Sequence, residues 1–266
     1  MTLSSRRDSL AIRRLRAGAG VLLAAVLAVT ATACGSGNSS DSSGHTKVVV
    51  LAASSLTDTF TTLATAFEKD HPGVKVVTSF GSSTTLAEQV VNGAPADVIA
   101  TADETSMHIV ADKHLLGRDP VPFASNTMII ATPPTNPGQV RSLRDLAGVD
   151  FVMCDPSAPC GAAAQKVLAK AGVTAKPRSL EADVRSVLSK VTLKEADAGL
   201  VYVTDAKAAG DSVHTVAIPP ADNTVNAYYI APIKGSKTGA TANQWVSLVT
   251  SQAGQRVLRS DGFGAP

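Results

Sequence analysis

Short β-branched runs alternate with helical patterns along residues 47–110, and that order leaves few folds open. Residues 47–51 read as a strand. Leu56, Phe60, Leu63 and Phe67 then recur at the spacing of one helix face. Residues 74–78 and 96–100 read as further strands, each followed by a helical stretch, at 86–91 and around 107–110. A βαβαβα order predicts a parallel sheet with helices on both faces.

A second α/β series follows. Residues 126–131 read as a strand that Pro133-Pro134 ends. Residues 150–153 and 199–203 are strands, and 162–170 and 184–191 are helices. Val184, Val187, Leu188 and Val191 form a stripe expected to be core. A late strand at 228–233 and a helix carrying Trp245, Leu248 and Val249 close the chain and can return to the first series. Two series of similar size predict two lobes, 46–125 plus 227–266 and 126–226, joined by two hinge strands. In open α/β sheets a ligand sits beyond the carboxyl ends of strands, where helices start.

Two such junctions share a composition. Ala52-Ala53-Ser54-Ser55-Leu56-Thr57 and Phe80-Gly81-Ser82-Ser83-Thr84-Thr85-Leu86 each run from a strand through a hydroxyl-rich turn into a helix. The first N–H groups of a helix have no intrahelical acceptor, and the positive end of its dipole points outward. Two junctions together make an anion site without a cationic side chain. The plainer reading is that these Ser and Thr residues are N-caps.

The first stretch is an address, not part of the fold. Arg6, Arg7, Arg13, Arg14 and Arg16 precede an uncharged run over 17–33 that ends in Ala31-Thr32-Ala33-Cys34. A basic start, a short apolar run and small residues before a cleavage point make an export signal over 1–33. Small residues before Cys34 resemble a bacterial lipobox, so Cys34 is the expected lipidated residue. The Ser5-Arg6-Arg7 triplet also leaves twin-arginine export open beside the general route. Residues 34–45 are rich in Ser, Gly and Asn, a flexible tether. Removing 1–33 takes five Arg and one Asp from 24 basic and 22 acidic residues, leaving 19 against 21 and a net charge of −2. Aromatics are 4% and no basic patch interleaves them, which excludes nucleic acid as a partner. With Cys34 lipidated, Cys154 and Cys160 remain as a pair. An exported protein permits their disulfide, and two free apolar thiols are the alternative.

The chain carries no GxSxG, HExxH, P-loop or GxGxxG pattern. His45, His71, His108, His114 and His214 are scattered, and His108 and His114 would not share a helix face, so no metal site is expected. No base lies beside Ser55 or Ser83 in sequence to make either a nucleophile.

Further motifs join the two hydroxyl turns: Gly93-Ala94-Pro95-Ala96-Asp97, Asp155-Pro156-Ser157-Ala158-Pro159-Cys160-Gly161, Glu181-Ala182-Asp183-Val184-Arg185 and Gly199-Leu200-Val201-Tyr202-Val203. In this order, over about 46–263, the chain resembles the molybdate-binding proteins of bacterial ABC importers. The resemblance implies a two-lobed periplasmic-binding-protein fold of type II, each lobe a mainly parallel sheet flanked by helices, with the ligand cleft between lobes. It places the oxyanion on the Ser55 and Ser83 hydroxyls, the Cys160 and Val184 backbone N–H groups and the Tyr202 hydroxyl. Two departures stand in the second lobe: its Asp-Pro…Pro loop is a residue short, and Cys160 replaces a small residue. The implied protein is a monomeric, lipid-anchored receptor on the extracytoplasmic face of the cell membrane. It is not an enzyme, takes molybdate or tungstate as ligand with no cofactor and no metal beyond the molybdenum of the oxyanion, and partners the transmembrane subunits of an ABC permease. Asp97, Asp155, Asp183 and Arg185 flank the contacts and are expected to cap, turn or pair. The alternatives are a receptor for another tetrahedral oxyanion such as sulfate, a sensor switched by the cysteine pair, or an enzyme on the same fold.

Overall fold

The computed structural model describes residues 45–266. The export signal, Cys34 and nearly all of the tether lie outside these residues. The first series is β1 (Thr46–Ala53), α1 (Thr57–Asp70), β2 (Val74–Gly81), α2 (Ser83–Val91), β3 (Val98–Thr101) and α3 (Glu104–Ala111). The second is β4 (Val121–Thr132), β5 (Phe151–Cys154), α4 (Pro159–Lys170), β6 (Ser179–Glu181), α5 (Val184–Thr192), β7 (Ala198–Tyr202), α6 (Val203–Ala209) and β8 (His214–Val216). The chain ends with β9 (Val225–Pro232), α7 (Gly239–Thr250) and α8 (Gln252–Ser260).

Alternation along β1 distributes its side chains to two helical layers. Val48, Val50 and Ala52 pack with Phe60 and Phe67 of α1 and Trp245 of α7. Leu51 faces the other way, onto Leu86 of α2 and Met107 of α3. Trp245 is fully buried and meets Phe60 and Phe67 edge-on at 5.5 and 5.6 Å. Such pairs contribute about 0.5–1.5 kcal/mol beyond area burial. The second series has its own core, in which the stripe Val184, Val187, Leu188 and Val191 packs under β4, β5 and β7.

The strands form one nine-stranded sheet in the order β2-β1-β3-β9-β4-β7-β5-β6, with β8 on β4. The triplets β2-β1-β3 and β6-β5-β7 are parallel, as βαβ crossovers require. Antiparallel pairs enter where β9 and β4 connect the two triplets. β4 pairs with β9 as far as Thr127 and with β7 from Met128 on. Asn126 of β4 and Asn226 of β9 are register partners at that changeover. Among the described residues no helix is long and apolar enough to cross a membrane.

Candidate functional site

Each element start around the changeover delivers one polar group to the same place. β1 runs through a single 3-10 turn, Ser54–Leu56, into α1, and Ser55 is buried there. Its Oγ lies 2.9 Å from the hydroxyl of Tyr228. Ser83 opens α2 and is buried, its Oγ accepting the N–H of Ala102 at 2.9 Å. Neither α1 nor α2 has a side-chain cap, so these serines are not the N-caps their position suggests.

Two more helices present backbone. Asp183 caps α5 and accepts the N–H groups of Arg185 and Ser186 at 2.8 and 3.1 Å. The N–H of Val184 opens that helix, where no intrahelical acceptor exists. α4 starts at Pro159, a residue suited to a first helical position, with Cys160 next. A disulfide joins Cys160 to Cys154 at the end of β5, with Cα atoms 5.7 Å apart. The bridge draws the first turn of α4 onto the β5 backbone, and the close approach explains Gly161. A Cβ there would sit 2.7 Å from the carbonyl oxygen of Cys154 and closer still to the Asp155 carbonyl. Asp155 shapes the loop between, accepting the N–H and hydroxyl of Ser157 at 2.9 and 2.6 Å. The hydroxyl bond is the main cause holding its carboxyl below the ordinary value.

Tyr202, the last residue of β7, is fully buried, and its hydroxyl lies 3.0 Å from Asn226 Nδ2. Burial raises the phenols of both Tyr202 and Tyr228, so each stays a neutral O–H donor. Ser55, Ser83, Cys160, Val184 and Tyr202 all line one small cavity of about 10 Å³, together with Ala53, Pro159 and Asp183. Bonds close over it between the two series, from Thr84 Oγ1 to the Ser157 carbonyl at 2.7 Å and from Arg185 to Asp58. A larger groove adjoins the cavity, sharing Ser54 and Asp183 and including Arg185 and Lys190. The residues lining the smaller cavity are the more deeply buried, and hydrogen bonds made among them gain strength.

Arg185 does not line the cavity. It bridges Asp58 on α1 and Asp205 on α6. Asp205 is fully buried, with its Oδ1 3.2 Å from Arg185 Nε. The two atoms are misaligned for a hydrogen bond, so the attraction is coulombic. Burial outweighs it and raises the carboxyl to about 7. Asp97 accepts the Val49 N–H at 2.7 Å and the Ser236 hydroxyl at 2.5 Å. Asp97, Asp155, Asp183 and Arg185 thus hold local structure. Among the described residues no cluster of His, Cys, Asp or Glu could hold a metal ion.

Residues 48–264 match the family described as bacterial extracellular solute-binding protein. The chain belongs to that family. A molybdate-binding protein ModA of Mycobacterium tuberculosis is 41% identical over 252 residues, 92% of this chain and 97% of the relative. The structure of the Azotobacter vinelandii periplasmic molybdate-binding protein aligns with a TM-score of 0.72 at 23% identity, covering 82% of this chain and 99% of that one. The sulfate-binding protein SubI of Mycobacterium tuberculosis aligns as well, with a TM-score of 0.73 at 19% identity over 82% of this chain and 86% of that one. At such identities the structures speak for the fold alone, which is the two-lobed fold expected. Three residues behind this family member's cavity were missed from sequence: Asn126, Asn226 and Tyr228.

Proposed function

We propose that the protein captures molybdate, or tungstate, outside the cell membrane and delivers it to an ABC permease. The observation that supports this reading is the lining: the hydroxyl residues Ser55, Ser83 and Tyr202 and the first N–H-bearing residues of two helices, Cys160 and Val184, border one cavity that no cationic side chain lines. Molybdate at neutral pH is a tetrahedral dianion with acceptors only. Each helix start offers roughly half a positive charge, and hydrogen bonds to a charged group contribute about 1.5–3 kcal/mol each. Several of them offset desolvation of the anion. Phosphate keeps a proton that needs an acceptor, and an unmet polar group costs about 1–3 kcal/mol. Sulfate has no such proton and is rejected by size, because its shorter bonds leave donors in a closed cavity out of reach. Donors come from both series, so only the closed arrangement makes all the contacts, and a permease can read that shape. The two series act as lobes hinged at β4 and β9. Lipid on Cys34 and the tether over 34–45 keep the monomer beside its permease.

Calorimetric titration of the mature protein tests this. Molybdate and tungstate are expected to bind at least about a hundredfold more tightly than sulfate, with phosphate weakest. Ser83→Ala should weaken molybdate about ten- to a hundredfold at an unchanged apo melting temperature. Equal affinity for sulfate and molybdate would overturn the reading in favour of a general oxyanion receptor.

The disulfide bears on the same site. Its short ring removes modest entropy from the unfolded chain, so its larger effect is local: a loop ordered beforehand loses less freedom when the anion arrives. Reduction is expected to weaken molybdate binding severalfold while the melting temperature falls little. Titration with and without reductant measures it, and an affinity indifferent to reductant would contradict the bracing role.

A further inference from the structure

A hydroxyl has one proton to give and two lone pairs to accept with, so a partner that donates to it from behind takes up one lone pair and leaves its proton for a ligand. For Ser83 the constraint is direct. The Ala102 N–H donates to its Oγ, so its own proton is left for the cavity.

Tyr202 is constrained by Asn226. The amide of Asn226 cannot be reversed, because its Nδ2 also faces the carbonyl oxygen of Ala102 at 3.3 Å, and a carbonyl only accepts. Nδ2 therefore donates to the Tyr202 oxygen at 3.0 Å, and the phenol proton is free.

Ser55 is constrained through one more group. Asn126 Oδ1 accepts the Thr127 N–H at 3.0 Å, which fixes that amide too. Its Nδ2 then faces the Thr204 hydroxyl at 2.7 Å and the Tyr228 hydroxyl at 3.4 Å. Either oxygen can donate in the 2.9 Å bond between Tyr228 and Ser55; with a donor behind it, Tyr228 has its single proton left to give, and we take Ser55 Oγ as its acceptor. Ser55 already accepts and is left to donate. Both amides stand at the register pair where β4 and β9 join the two series.

We infer that Asn126, Tyr228 and Asn226 are positioning and specificity-determining residues: by donating from behind, Asn226 to Tyr202 and Asn126 through Tyr228 to Ser55, they turn both hydroxyl protons towards the cavity and so favour a proton-free tetrahedral dianion over one that keeps a proton. The inference rests on the oxyanion reading above. Sulfate and hydrogen phosphate are the informative pair, since at pH 8 they are close in size, equal in charge and different in one proton.

The experiment titrates sulfate and inorganic phosphate, each in competition with molybdate, into the wild type, Tyr228→Phe and Asn226→Ala. Tyr228→Phe removes the hydroxyl that donates to Ser55. Asn226→Ala leaves room for a water, which can donate or accept. In each variant the ratio of sulfate to phosphate affinity is expected to fall about tenfold, with molybdate weakened. A merely structural role would weaken all three anions together and leave the ratio unmoved. The two variants act at separate hydroxyls, so misfolding of one leaves the other decisive. Molybdate binding by the wild type with an unmoved ratio in the variants overturns the relay alone. No molybdate binding by the wild type overturns the oxyanion reading and the relay with it.

Discussion

Gly161→Ala is expected to remove molybdate capture and to lower the melting temperature by about 6–12 °C. The added Cβ would overlap backbone, the carbonyls of Cys154 and Asp155, rather than a side chain that could rotate away. Overpacking costs about 1–3 kcal/mol where neighbours can yield, and here the yielding group is the loop held by the Cys154–Cys160 bridge. A cost of about 3 kcal/mol in a domain of this size corresponds to the stated shift. Either α4 moves away from β5 or the loop unwinds. In both cases the Cys160 N–H leaves the cavity, with a further loss of about ten- to a hundredfold or more in affinity. Gly254→Ala is the control. Its Cβ would overlap the carbonyls of Leu248 and Val249, in the last turn of α7. It should lower the melting temperature without changing affinity. Melting and calorimetry on both variants read the two effects separately. Wild-type affinity in Gly161→Ala would show that the loop is not held as described.

The same close approach marks what a sequence can and cannot reveal. The first parallel triplet was legible because β-branched runs and helical spacings are local properties, and β1 to α3 follow the predicted order. β6 and β8, three residues each, are too short to carry a period and exist only because a neighbouring strand pairs with them. β4 begins at Val121, earlier than its apolar run, because Pro122 and Ser125 interrupt the pattern while β9 still supplies partners across a register shift. The terminal helix is two helices, α7 and α8, broken where Ser251 turns extended and caps the second.

At the cavity the hydroxyl turns were visible as motifs, and the resemblance selected one residue from each. The Cys160 and Val184 contributions leave no trace in side-chain chemistry, since any residue but proline supplies an N–H. The residues behind the hydroxyls were beyond reach for another reason. Asn126 and Asn226 are a hundred positions apart and meet only through the β4–β9 register. Nothing local distinguishes an amide that orients a phenol from one that faces water.

Arg185→Met is expected to cost about 3 kcal/mol of stability at pH 8 and about 1 kcal/mol or less at pH 5. Arg185 is the cation that faces Asp205, while Asp58 and Asp183 add negative potential there. Burial dominates, and the Asp205 carboxyl stands near 7 against an ordinary 3.8. Between those values the folded protein keeps a proton that the unfolded chain has released. The contribution of this group to wild-type stability therefore falls as pH rises through that window. At pH 5 Asp205 is already neutral when folded, and losing Arg185 removes little beyond the half-exposed pair with Asp58. At pH 8 the wild type holds an ionised Asp205 opposite the guanidinium. The variant must either bury that charge alone or take up a proton against the pH, and stranding one member of a buried pair costs about 3–5 kcal/mol. Protonation limits the loss to the lower end. Melting temperatures at the two pH values should separate by about 4–8 °C in the variant's deficit, and equal deficits would refute the assignment of burial as the dominant cause. The effect on binding has the same origin. Arg185 on α5 pairs with Asp58 on α1, so its loss removes a contact between the two series that, on the lobe-closure reading proposed above, holds the ligand-bound arrangement. Molybdate affinity in Arg185→Met should fall at both pH values, while the stability deficit alone depends on pH.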